Sequence, residues 1–93
     1  MADDRENQLA RREILVAYLE VLDRPGELVE VCSAVDGDDQ KLRRAVQEAF
    51  GLSPIAADAV LALQVRRFTP NERQKLKNEL TGLNLWLAQN SGA

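Results

Sequence analysis

Between residues 9 and 22 apolar side chains return every third or fourth position. Leu15, Leu19 and Leu22 form one stripe, with Ile14, Tyr18 and Val21 beside it. That period predicts a helix from Leu9 to Leu22. Since Glu20 is the only charge after Ile14, it calls for cover on more than one side. Arg24-Pro25-Gly26 interrupts it. Asp23 stands where a cap for the next helix belongs, and proline just inside a helix start loses no N–H that would have been paired. Glu27 to Val35 reads as a short helix with Leu28, Val31 and Val35 inward. Asp36-Gly37-Asp38-Asp39 makes a turn, one aspartate capping a helix from Gln40 to Phe50. Leu42, Ala45, Val46, Ala49 and Phe50 share its inner face, opposite Lys41, Arg43, Arg44 and Glu48, and Gly51 is the expected left-handed terminator.

The stretch from Leu52 to Val65 is the most unusual, because Asp58 is its single charge in a chain that is 29% charged. Ser53-Pro54 and Thr69-Pro70 fence it as helix starts. A central helix from Pro54 to about Arg67 is predicted, and it cannot face water all round. Thr69 then caps a last helix, with Pro70 first and Glu72 at capping-box spacing. Leu76, Leu80, Leu83 and Leu87 form a seam like that of a two-helix coil, and Gly82 weakens the helix so that its end is left open. The reading is all-α, a compact bundle of about five short helices. Residues 1–8 are a polar tail, 9–89 a single domain and 90–93 a frayed C-terminus.

Ninety-three residues make one domain with a thin core, burying about 60–65% of the unfolded surface. Four aromatics supply little bulk, and small helical chains often gain core by pairing. The net charge of −3, with both signs interspersed, opposes broad binding to a phosphate backbone, so DNA contact by this chain alone is not expected. Cys32 is the only cysteine and reads as a small packing residue. The chain has no histidine, and no nucleophile stands with a base. No catalytic residue, cofactor, metal or small-molecule substrate is therefore expected. The acidic N-terminus is unlike a signal peptide, and no apolar run reaches the roughly 20 residues of a membrane span. A cytoplasmic protein without membrane contact is the expectation.

Three motifs invite sharper readings. A calcium loop starting at Asp36 would need glycine and glutamate where Lys41 and Gln47 stand, so a capped turn is favoured. Arg43 to Val65 has the outline of a helix-turn-helix. Its base-reading positions would be Pro54, Ile55, Ala56 and Ala57, which offer only methyl contacts. Arg66, Arg67, Arg73 and Lys75 form a candidate basic patch, with Lys77 beyond it. Cations in the last turn of a helix face its dipole favourably, which is the structural reading of Arg66 and Arg67.

Taken in order, the segments resemble the dimerisation tip of the A subunits of bacterial DNA gyrase and topoisomerase IV. The family's Ile-Leu and Leu-Asp are matched by Ile14-Leu15 and Leu22-Asp23, and its Arg-x-x-(Leu/Val)-x-x-x-Phe by Arg43, Val46 and Phe50. Its Leu-Ser-x-x-Gln-Ala-x-Ala-Ile-Leu corresponds to Leu52-Ser53 with Ala57, Ala59, Val60 and Leu61. Its Arg-Leu-Thr-x-x-Glu-Arg-x-Lys-Ile corresponds to Arg67-Phe68-Thr69, Glu72-Arg73 and Lys75-Leu76. Glu13, Pro25 and Ala56 depart from the family's usual His, Ile and Gln. The resemblance implies the helical knob at the end of two coiled-coil arms, where two protomers meet across a two-fold axis at the exit gate for DNA. It implies no strand-cleaving tyrosine, no acidic metal site and hence no catalysis by this chain.

The leading expectation is a non-catalytic dimerisation module, a homodimer, either stand-alone or a fragment of a topoisomerase relative. The alternatives are a small helical DNA-binding regulator and a modulator of gyrase that associates with gyrase A. Candidate core and interface residues are Leu52, Ile55, Val60, Leu61, Leu63, Val65 and Phe68 in the apolar stretch. Leu76, Leu80, Leu83 and Trp86 join them in the seam.

Overall fold

The computed structural model describes residues 2–90, with side chains from Asp4 onward. It contains α1 (Ala2–Asp23), α2 (Pro25–Ala34), α3 (Asp39–Phe50), α4 (Pro54–Leu61) and α5 (Pro70–Gln89). A 3-10 turn, Val65–Phe68, lies between α4 and α5, and the described residues include no strand. No described helix is long and apolar enough to cross a membrane.

The helix boundaries follow local chemistry. Asp38 Oδ1 accepts from the Lys41 N–H at 2.8 Å, Ser53 Oγ from Ala56 at 3.2 Å and Thr69 Oγ1 from Glu72 at 3.4 Å. Each satisfies an orphan donor in a first helical turn. Gly51 closes α3 at φ +66°, a left-handed conformation that glycine adopts without steric cost. Its N–H donates to the Gln47 carbonyl.

α1 and α5 run antiparallel and are closed by one apolar seam. Leu15 and Leu22 interlock with Leu76, Leu83 and Leu87, all buried, with Leu80 and Trp86 half-buried at the edge. Polar pairs flank the seam: Arg11 with Glu79, Arg12 with Asn84, and Asp23 with Arg73. A second cluster joins Ala17 and Val21 of α1 to Val46 and Phe50 of α3 and to Ala56, Ala57 and Val60 of α4. The small residues of α4 let it lie close against α1. Tyr18 and Phe68 pack against both clusters and connect them. The least extent of the molecule is 17 Å, room for only about two helix layers of ~10 Å each.

Several boundaries differ from those the periodicity predicts. α1 begins at Ala2 rather than Leu9, so the stretch read as a polar tail is helical. A side-chain hydrogen bond ties it to the other end of the chain, Arg5 Nη1 donating to the Asn90 carbonyl at 3.3 Å. Asp23 does not cap α2. It ends α1 and pairs with Arg73, while the residue at the cap position, Arg24, makes no side-chain cap bond. Ala49 is exposed, because only the i, i+4 stripe of Val46 and Phe50 is fully covered on α3. Gly82 leaves α5 unbroken to Gln89. Of the four terminal residues read as frayed, Asn90 ends α5, its N–H donating to the Trp86 carbonyl at 3.0 Å; residues 91–93 lie outside the described residues.

The largest correction concerns the central helix, which stops at Leu61 instead of reaching Arg67. Ala62 shares its N–H between the carbonyls of Asp58 and Ala59, at 3.1 and 3.2 Å, and Leu63 donates to Val60 at 3.1 Å. This is the tightening common at a helix C-terminus. The reason lies in phase. An unbroken helix would carry Gln64 onto the stripe of Ala56 and Val60, burying an amide that has no partner there. Breaking at 62–64 leaves Gln64 exposed and returns Phe68 to the bundle.

Candidate interaction surface

The early stop of α4 creates an apolar concavity. The chain leaves α4 through Leu61 and Leu63 and re-enters at Val65 and Phe68, facing α2 across a groove of about 370 Å³. α2 contributes Leu28, Val29, Cys32 and Ser33 to the opposite wall. Val60 forms part of the floor and is 1% exposed. On the rims, Val65 is 84% exposed and Val29 64%, more than any packing role inside the monomer explains.

The sequence-derived candidates separate into several places. Leu61, Leu63, Val65 and Phe68 come together in this groove, over Val60. Leu52 lines another shallow recess, between α1 and the start of α4, beside Leu9 and Val16. Ile55 stands 66% exposed on α4 and lines neither the groove nor this recess. Leu76, Leu80, Leu83 and Trp86 face α1 inside the α1–α5 seam. The seam that resembled half of a coil between chains is therefore filled within one chain.

The contribution of α2 was missed. Its sequence carries a signal that could have found it: Leu28, Val29, Val31 and Cys32 spread around too much of a ten-residue helix for one packed stripe. Leu28 and Val31 turn to the core, while Val29 and Cys32 reach the groove.

Three of the four cations of the basic patch pair with two carboxylates, and the Arg66 side chain bonds a neutral amide instead. Arg73 pairs with Asp23, and Arg67 Nη1 lies 3.1 Å from Glu72 Oε2. Lys75 Nζ stands 3.9 Å from the other Glu72 oxygen, and Arg66 Nε donates to Gln64 Oε1 at 2.6 Å. Because α4 ends at Leu61, Arg66 and Arg67 are not in its last turn, and the dipole role expected for them does not apply. The Glu72 carboxylate, occupied by Arg67, leaves the capping box with only its Thr69 half. The helix-turn-helix outline also lacks reading groups: at the start of α4, Ala56 and Ala57 are buried, and Asp58 pairs with Arg43 at 3.3 Å.

Away from the groove, one ion pair shifts its partners' titration. The bidentate hydrogen bonds of Arg11 to Glu79, at 2.7 and 3.1 Å, lower the Glu79 pKa and raise that of Arg11. This pair clamps α1 to α5 and lies outside the groove.

No family model matches the chain. It is 35% identical over 78 residues to the DNA gyrase A subunit of Helicobacter pylori, and 37% identical over 83 residues to the DNA topoisomerase 4 A subunit of Synechocystis. Against the gyrase A subunit of Campylobacter jejuni it is 34% identical over 74 residues. These matches take in 80–84% of this chain but only 8–9% of the relatives' length. By sequence, then, the chain is a relative of one segment of the A subunits of DNA gyrase and topoisomerase IV.

Proposed function

We propose that this chain is a non-catalytic, cytoplasmic helical module that pairs with a second copy of itself through the groove between α2 and the 3-10 turn. One observation carries the reading. Two valines, Val29 and Val65, stand exposed on opposite rims of an apolar groove in a chain whose other apolar seam is already closed. The resemblance to the paired tip of gyrase and topoisomerase IV A subunits supports it. Light scattering across micromolar concentrations tests the reading. A mass moving from one chain to two supports it, and a strict monomer throughout removes it.

A second occupant of the same groove is the corresponding segment of full-length gyrase A. Identity of 34–37% across most of the chain favours this reading, because a shared fold presents a related surface. It would make the chain a modulator of gyrase. Co-purification with gyrase A and altered supercoiling are its expected signs; absence of both rejects it.

A further inference from the structure

We infer that α2 opens from the bundle as a unit while the other helices stay folded, so that the groove it walls is adjustable rather than fixed. α2 is the one α-helix whose Pro25–Ala34 span contains no fully buried residue in a part of the structure described throughout, side chains included. Leu28 and Val31 touch the core but are only half-covered. Among the described residues, no side-chain hydrogen bond or ion pair ties α2 to α3, α4 or α5. Glu27 pairs instead with Arg24, at the cap position of its own helix, at 2.7 Å. Little local preference holds it either. Ten residues fall short of the roughly 12–15 that an isolated helix needs, and Gly26, Val29 and Val31 are weak helix formers.

The two ends of α2 differ. Arg24, at its start, pairs with Glu20 of α1 at 3.1 Å and lies 4.6 Å over the Phe50 ring of α3, so that end is anchored. At the other end Val35 is extended at φ −88°, ψ 129°, and Gly37 follows at φ +106°, which glycine tolerates where a side chain would be strained. Swinging about the Arg24 anchor from this second joint would withdraw Leu28, Val29 and Cys32 together, widening the groove over Val60. The consequence for pairing rests on the self-association proposed above; the opening itself does not.

Amide hydrogen exchange tests this in dilute solution, where any dimer is dissociated, on the wild type and on Gly26→Ala. Gly26 has nothing within 4 Å of where a Cβ would stand, so alanine fits and acts only by restricting the backbone. Once detached, a helix of ten residues does not hold its own hydrogen bonds, so residues 28–34 should exchange on the order of 100-fold faster than residues 76–87, by a local opening. Gly26→Ala should slow α2 alone by about two- to fivefold, the loss of backbone freedom expected at a compatible site. Equal exchange of α2 and α5 would overturn the inference, as would a variant that slows every helix alike. Because the sample is monomeric, either result leaves the self-association reading to be judged separately.

Discussion

The two ends of this molecule treat apolar surface in opposite ways. Along the α1–α5 hairpin, five leucines close a seam inside the chain, and ion pairs seal its flanks. At the far end, α2 and the 3-10 turn hold valines apart over an open groove. A leucine repeat is therefore no guide to an intermolecular surface; it marks where the chain has satisfied itself. The apolar surface left open, the one proposed above for pairing, lies where a helix was cut short.

The sharpest break in this comparison comes from trimming each end. Leu76→Ala, at a residue 2% exposed, should cost about 2–5 kcal/mol in denaturant unfolding. Val65→Ala should change monomer stability by no more than about 0.5 kcal/mol. Comparable losses at both positions would erase the distinction between a filled seam and an open groove.

A charge placed on the rim probes the groove itself. Val65→Asp or Val29→Asp should leave the helical circular dichroism intact and weaken self-association at least about tenfold, roughly 1.4 kcal/mol. Ile55→Asp, an exposed apolar position outside the groove, should leave self-association unchanged. An equal effect from all three would show that pairing does not choose between the two faces.

How much of this was legible beforehand depended on distance along the chain. Ser53, Thr69 and Gly51 act within a few residues of themselves, and short-range cap chemistry identified them, while for α3 it pointed to one of the aspartates at 36–39 without choosing Asp38. The stop at Leu61 was hidden because Ala59, Val60, Leu61 and Leu63 continue an apolar run without glycine or proline. The cue was Gln64, in phase with Ala56 and Val60, which a count of apolar positions passes over. Asp23 pairing with Arg73, fifty residues on, has no local trace, so Asp23 read as a cap and Arg73 as free charge. The first two turns of α1 looked like a tail for a similar reason: their one side-chain hydrogen bond among the described residues, from Arg5, reaches Asn90 at the other end of the chain.

Caps provide a smaller test on the groove side. Ser53→Ala should destabilise the fold by about 0.5–2 kcal/mol through the lost Ala56 hydrogen bond. Thr69→Ala should cost at least as much, because Thr69 Oγ1 accepts from the Glu72 N–H at 3.4 Å and also donates to the Arg66 carbonyl at 3.2 Å. Thermal melts would resolve the order. The reverse ranking would show that α4 depends more on its cap than α5 does.

The smallest effect belongs to the hairpin's clamp. Glu79 has its pKa lowered below the ordinary 4.5, so its contribution is present above that value and fades as pH falls through the lower folded value. Both partners are more than one-third exposed, which limits the pair to about 0.2–1 kcal/mol. Glu79→Gln should remove that much near neutral pH and flatten the acid limb of the stability profile. An unchanged acid limb would mean that the clamp holds geometry without contributing energy.

Backbone amide shifts followed by NMR as concentration rises test the central claim most directly. Shifts that move together at residues 28–33 and 60–68, while residues 9–16 and 52–55 stay still, are the predicted result. Movement centred on 52–55, or none at any concentration, would contradict it.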